Sequence, residues 1–270
     1  MLGKIDLLRR WRAVTTGICF LMFICGGCLL TLTALPLILL VSPTKEQKER
    51  GTLKLIHYMF KAFMKYMQIM NPIASFRIEG LEKLRSVDGC IFIANHPTLI
   101  DVVAVISLLP LCHCIVKKSL LKVFYLGWIM RSAGYMANDH PAMQLIEDGY
   151  HSLQAGHSLL IFPEGTRSPA YGLHPFSRGA AQLALRTGAP VVPIVITCEP
   201  PTLLKGQPWY AVPTRPVDFT LRFYPPLAIS EAIAGKQDAS LQVRALNQYF
   251  EDFFRRELQA LSAQRGEVTR

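Results

Sequence analysis

Residues 89–101, "GCIFIANHPTLID", pass from an unbroken apolar run into a histidine, a proline and an acid. The run reads as a strand buried on both faces, the pattern of a parallel sheet covered by helices. Pro97 suits the first position of a helix and holds the residue before it extended, so a helix is expected near 98–109. On an ideal helix, positions five apart point about 140° away from each other. With His96 just ahead of the helix, its ring folds back over the first turn and Asp101 reaches it. A carboxylate on one imidazole nitrogen fixes the tautomer and leaves the other nitrogen free as a base. The plain alternative is a satisfied loop histidine beside a helix-start acid.

The same grammar continues on both sides. Short apolar runs read as strands in "SFRIEG" (75–80), "CHCIVK" (112–117), "HSLLIF" (157–162), "PVVPIVI" (190–196) and "DFTLRFYP" (218–225). Helical stretches lie near 119–131, 142–155 and 176–187, and a charged amphipathic helix runs from Ser240 to about Ala263. Strands alternating with helices imply an α/β fold with a mixed, largely parallel sheet flanked by helices.

The N-terminal third differs. From Ala13 to Val41 the chain carries no charged residue. As one helix this stretch would measure about 43 Å, longer than the ~30 Å hydrocarbon core of a bilayer, and it exceeds the apolar region of a cleaved signal peptide. It is expected to be membrane-embedded. Gly26-Gly27 and Pro36 permit a bent, re-entrant helix pair with both ends cytoplasmic. Basic residues flank both ends (Lys4, Arg9, Arg10 and Arg12 before, Lys45, Lys48, Arg50 and Lys54 after), so the positive-inside rule does not choose an orientation. Residues 52–70 then place Leu55, Ile56, Met59, Phe60, Phe63, Met67 and Met70 at helical spacing, with Lys54, Lys61 and Lys65 between them. Such a helix either lies in the membrane interface or packs on the domain core. The expected division is 1–71 for membrane-embedded and interfacial helices and 72–270 for a catalytic domain.

A net charge of +10 suits an anionic lipid surface or anionic substrates. Nucleic acid is the competing partner, but no zinc-finger spacing or RNA-binding signature is present. Seven cysteines, an odd number, three of them in the apolar run, argue for reduced thiols on the cytoplasmic side. "CHC" at 112–114 has no second ligand pair at zinc-like spacing, so no metal site is expected.

"LLIFPEGTRS" (159–168) ends a buried strand at Pro163 and then presents Glu164, Gly165, Thr166, Arg167 and Ser168. Ligands of α/β sheets bind where strands end, arginine offers a planar fork to phosphate or carboxylate, and glycine allows close backbone approach. In isolation the stretch is also compatible with a plain loop holding a surface ion pair. Together, "NHPTLID" and "FPEGTRS", each following an apolar strand, resemble the glycerolipid acyltransferase family, with its His-x4-Asp motif and Phe-Pro-Glu-Gly-Thr-Arg-Ser block. The resemblance spans roughly Ile73 to Pro226 and continues in "FSRGAAQLALRTGAPVVPIVI" (176–196).

This resemblance implies a membrane-bound enzyme that moves a fatty acyl group from a thioester, on coenzyme A or acyl carrier protein, to the free hydroxyl of a lysophospholipid such as 1-acyl-glycerol-3-phosphate. His96 would be the general base and Asp101 its orienting partner, with Glu164, Gly165, Thr166, Arg167 and Ser168 lining the acceptor site. No cofactor beyond the acyl donor and no metal is implied, and the expected location is the cytoplasmic membrane, catalytic side inward. A Gly-x-Ser-x-Gly elbow is absent, which disfavours a serine hydrolase. One departure stands out: where many members carry Gly-x-x-x-Ile-Asp-Arg, this chain has "GYMANDH" (134–140), putting His140 in the place of the phosphate-holding arginine. Lys117 and Lys118 are candidates to compensate. The variant is similar to acyltransferases found in aryl polyene pigment clusters, so a non-phosphate acceptor (a lyso-amino-acid lipid or pigment head group) is the alternative. A non-catalytic membrane scaffold is the second alternative.

Overall fold

A computed structural model describes residues 2–70, 72–84, 88–139 and 141–264. Helix α1 (Leu2–Leu32) and the short α2 (Ala34–Val41) form the apolar N-terminal segment. The helix is interrupted at Thr33, between α1 and α2, and α1 runs on through Gly26-Gly27. The cause is Pro36. It lacks the N–H that would bond to the carbonyl of Leu32, and its ring clashes with that carbonyl in a continuous helix. α1 accordingly ends at Leu32, with Thr33 Oγ1 donating back to Leu29 O at 2.7 Å.

Helix α3 (Lys45–Ile69) starts at Thr44, whose side chain accepts from Gln47 N, with Glu46 in the first turn, a favourable N-terminal arrangement. Leu53, Ile56, Phe60, Met64 and Met67 recur at helical spacing and are buried. Of the two sequence readings for this helix, the described side chains show core packing for that face.

Seven strands form one sheet in the order β1-β7-β6-β2-β5-β3-β4. They are β1 (Ile73–Glu79), β2 (Ile91–Ala94), β3 (Cys112–Val116), β4 (Met136–Ala137), β5 (Ser158–Ile161), β6 (Val191–Glu199) and β7 (Val217–Phe223). Every neighbouring pair is parallel except β6 and β7, so the sheet is mixed and largely parallel as expected. Side chains alternate across it. Phe92 and Ala94 of β2 enter one core with α3 and with α4 (Asp101–Ile106), whereas Ile91 and Ile93 enter the other. That second core is closed by α8 (Gly179–Thr187) and α10 (Ala239–Gln264) through Leu183, Leu246, Phe250 and Phe254. Each such fully buried side chain contributes about 1.5–3 kcal/mol relative to exposure.

The expected helix at 119–131 is two helices, α5 (Lys118–Leu121) and α6 (Phe124–Ser132). They fold so closely that a Cβ on Gly127 would lie 2.1 Å from Leu121 O. Helix α7 (Ala142–Gln154) and the C-terminal α10 fall where the sequence places them, while β4 and α9 (Ile229–Ile233) had no readable pattern.

The stretch Leu7–Val41 is long and apolar enough to cross a membrane by length and composition. One side of α1 packs on the body: Phe23 lies against Phe60 and Phe63, Cys19 is buried, and Gly17 faces Trp209. Leu7, Trp11, Leu21, Leu29, Leu37 and Leu40 are exposed, an apolar surface of the kind that marks an interaction site. Arg12, one of the basic residues ahead of the apolar run, is only 8% exposed and donates to Pro213 O at 2.8 Å.

Candidate active site

β2 and β5 are parallel neighbours, so the segments leaving their C-terminal ends emerge side by side. The first is "NHPTLID" and the second "FPEGTRS". Asn95 fastens the first to β6: its amide donates to Ile196 O at 2.8 Å and accepts from Ile196 N at 2.7 Å. This side chain extends the ladder by one pair of bonds and fixes the exit angle of the chain at His96. Sequence reading assigned it no role, although a buried asparagine between a strand and His-Pro was the available signal.

Pro97 does not open the helix. Thr98 to Ile100 form a turn and α4 begins at Asp101, because the Asp101 carboxylate binds the turn rather than pointing outward. Oδ2 accepts from Thr98 N at 2.7 Å and Oδ1 from Thr98 Oγ1 at 2.6 Å. The expected contact is present: His96 Nδ1 is 2.7 Å from Asp101 Oδ2. Asp101 is fully buried while His96 is 18% exposed. Burial pushes the Asp101 carboxyl up from the ordinary carboxylate range, and the His96 and Thr98 bonds oppose that push. The bonded Nδ1 leaves Nε2 as the open nitrogen, with no hydrogen-bond partner among the described residues. Phe162, the last residue before the second motif, covers the imidazole with ring centroids 4.4 Å apart. The ring is therefore held by a carboxylate at one edge and an aromatic surface on one face, with its other edge open.

The second motif clamps the histidine backbone. Glu164 Oε1 accepts from His96 N at 3.1 Å and from Ser168 Oγ at 2.5 Å. Ser168 Oγ also accepts from His96 N at 3.0 Å, and Ser168 N donates to His96 O at 2.7 Å. Oε2 of Glu164 accepts from His174 N at 2.8 Å, so both oxygens of this buried carboxylate are engaged by the chain's own donors. Gly165 lies between them at φ +65°, a conformation in which a side chain is disfavoured, and it is exposed; Thr166 is half-buried.

Arg167 reaches away from the clamp. Its Nη1 donates to Leu203 O at 2.7 Å and to Leu204 O at 3.0 Å. Its Nε and Nη2 make no bond to a described residue and remain as the outward edge of the fork. Leu203 sits at φ +53°, which costs a bulky residue about 1–3 kcal/mol and marks the loop as a held feature. Lys117, just after β3, is exposed, and neighbouring Lys118 is paired with Asp139 at 2.5 Å. His140 lies outside the described residues. His96, Asp101, Glu164 and Ser168 are thus one bonded cluster, with Gly165, Thr166 and Arg167 on its rim and Lys117 on an adjacent strand end. Among the described residues, no group of three metal-ligand side chains occurs at this end of the sheet.

Comparison with known proteins agrees with this geometry. Residues 75–197 match the acyltransferase family model. The chain is similar to 1-acyl-sn-glycerol-3-phosphate acyltransferases of Brassica napus (chloroplastic; 32% identical, over 46% of this chain and 38% of the relative), Limnanthes douglasii (30%, over 60% and 58%) and Pseudomonas aeruginosa (32%, over 44% and 48%). The matched region thus spans less than two thirds of the length of these relatives. Among solved structures, the 1-acyl-sn-glycerophosphate acyltransferase of Thermotoga maritima superposes with a TM-score of 0.70 at 20% identity, covering 96% of this chain and 98% of that one. The likeness shows the same fold over that 96% of the chain. The segment that matches the acyltransferase family model runs from β1 through both clamped motifs into β6.

Proposed function

We propose that the protein transfers a fatty acyl group from a thioester, on coenzyme A or acyl carrier protein, to the free hydroxyl of 1-acyl-glycerol-3-phosphate at a membrane surface. The observation that carries this reading is the His96–Asp101 pair at 2.7 Å with Nε2 left open. His96 Nε2 takes the proton of the acceptor hydroxyl as the oxygen attacks the thioester carbonyl. The tetrahedral intermediate then collapses, the C–S bond breaks, and the proton passes from His96 to the departing thiolate. Base assistance of this kind contributes about 10²–10⁴ in rate. Asp101 holds the tautomer and stabilises the imidazolium that forms in between.

Glu164 and Ser168 act on the backbone of His96, and through it on the aim of the ring. Arg167 offers Nε and Nη2 to the phosphate of the acceptor, and Lys117 adds charge nearby. The printed names of the relatives support a 1-acyl-glycerol-3-phosphate acceptor. The exposed apolar face of Leu7–Val41 supports membrane attachment, with residues 1–71 serving attachment and 72–270 the chemistry. A thioester donor made in the cytoplasm puts the catalytic end on that side of the membrane.

The test is acyl transfer by the detergent-purified protein from acyl-coenzyme A and, separately, from acylated acyl carrier protein to a panel of acceptors, read as thiol release and ester product. Transfer to 1-acyl-glycerol-3-phosphate is expected. Transfer restricted to acceptors lacking phosphate would replace the acceptor in this reading, and no transfer to any hydroxyl would overturn it.

A further inference from the structure

At the opposite end of the sheet, three ligand-type side chains from separate segments converge. Glu49 stands in an early turn of α3, His113 is the second residue of β3, and His157 immediately precedes β5. His113 Nε2 lies 2.8 Å from Glu49 Oε1, and His157 Nε2 lies 4.0 Å from the same oxygen. One ligand atom from each of the three falls within 4.8 Å of the others. Both histidines are 2% exposed. We propose that Glu49, His113 and His157 form a binding site for a divalent transition-metal cation, zinc being the best chemical match, that fastens α3 to the sheet.

Three observations point to a ligand rather than to a closed polar cluster. Nε2 of His113, the ring nitrogen that faces Glu49, is buried without an aligned hydrogen bond, and buried polar nitrogens are otherwise nearly always satisfied. Second, His113 Nδ1 is 2.7 Å from Ser152 Oγ. An outer partner of this kind orients a metal-bound imidazole by fixing which nitrogen keeps its proton. Third, the space is kept clear. Gly134 has φ +70°, and a Cβ there would lie 2.7 Å from Glu49 Oε1 and 3.2 Å from His113 Nε2.

A shared proton explains the cluster less well. His113 Nε2 is within hydrogen-bond reach of Glu49 Oε1 at 2.8 Å, but His157 Nε2, at 4.0 Å from the same oxygen, is not, and charging both rings would set like charges 4.7 Å apart. A divalent cation instead uses a lone pair from each ring and a carboxylate oxygen, a donor set zinc accepts with bonds of about 2.0–2.2 Å. Tetrahedral ligands at that distance are about 3.3 Å from one another, a value lying between the 2.8 and 4.0 Å separations found. Glu49 is 21% exposed and provides the entry path, with water as the fourth ligand. The role is structural, since this end of the sheet is remote from His96.

The full-length protein in detergent, stripped with a chelator, would be titrated with Zn²⁺ and, separately, with Co²⁺. One bound equivalent, a raised Tm and a cobalt spectrum without thiolate charge transfer are expected. Glu49→Gln and His157→Gln should each abolish tight binding. The milder Ser152→Ala, which keeps all three ligands and serves if those variants fold poorly, should weaken it roughly 10–100-fold. His96→Ala should bind zinc like the wild type. Zinc uptake no greater than that of a Glu49→Gln, His157→Gln double variant would overturn the proposal. So would binding that survives in all three variants, or that disappears with Cys112→Ser and Cys114→Ser alone.

Discussion

Two histidine–carboxylate pairs stand at opposite ends of one sheet with nearly equal contact distances, 2.7 Å for His96–Asp101 and 2.8 Å for His113–Glu49. Distance does not distinguish them; exposure does. In the first the carboxylate is fully buried and the imidazole is 18% open, whereas in the second the imidazole is 3% exposed and the carboxylate 21%. Reversing which partner is enclosed reverses the chemistry. A buried acid steering a solvent-facing ring makes a base that a substrate hydroxyl can reach. A buried ring facing a half-open acid offers nothing to a substrate, but its lone pair is placed for a cation. The position in the fold agrees, because only the first pair lies at the carboxyl ends of the parallel strands, where α/β sheets bind ligands.

The largest effect that would sharpen this contrast is at Asp101. Asp101→Asn should reduce turnover by up to about 10⁴-fold through loss of tautomer and charge, whereas Glu49→Gln should leave turnover within a few-fold of wild type. Equal losses in the two variants would erase the distinction. Next is Arg167→Lys. An ammonium reproduces neither the bonds to Leu203 and Leu204 nor the outward fork, so KM for a phosphate-bearing acceptor should rise about tenfold, roughly 1.4 kcal/mol of binding. An unchanged KM would remove Arg167 from the acceptor site.

His113→Ala should act on stability instead, lowering it by about 0.5–3 kcal/mol in denaturant unfolding, with any stabilisation by zinc abolished. The smallest effect concerns the thiols beside it. Burial pushes Cys112 and Cys114 up, the latter to about 12, so neither should be alkylated in the native protein at mildly alkaline pH. Rapid labelling would show that this end of the sheet opens.

The His96–Asp101 contact was legible because its two members are five residues apart, with a strand before them and a proline between them. The clamp around it was half legible. "FPEGTRS" announced itself, but the bonds from Glu164 to His96 depend on β2 and β5 being neighbours, which no local pattern states. The helix start at 98 was misplaced because Pro97 carries a true helix-start signal that Thr98 overrides by bonding to Asp101. Of the two N-terminal signals, Gly26-Gly27 and Pro36, only the second interrupts the helix, since a glycine pair merely permits a break whereas Pro36 removes a hydrogen bond four residues back. Glu49, His113 and His157 were illegible as a group: the sequence offered "CHC", and the true neighbours of His113 come from α3 and the loop before β5.

The most direct measurement is thiol release from acyl-coenzyme A with 1-acyl-glycerol-3-phosphate as acceptor, run on wild type, His96→Ala and His113→Ala in one detergent, each first checked for native near-UV circular dichroism. The open base predicts loss of about 10²–10⁴-fold in His96→Ala alone. Wild-type turnover in His96→Ala, or an equal loss in a folded His113→Ala, would contradict it.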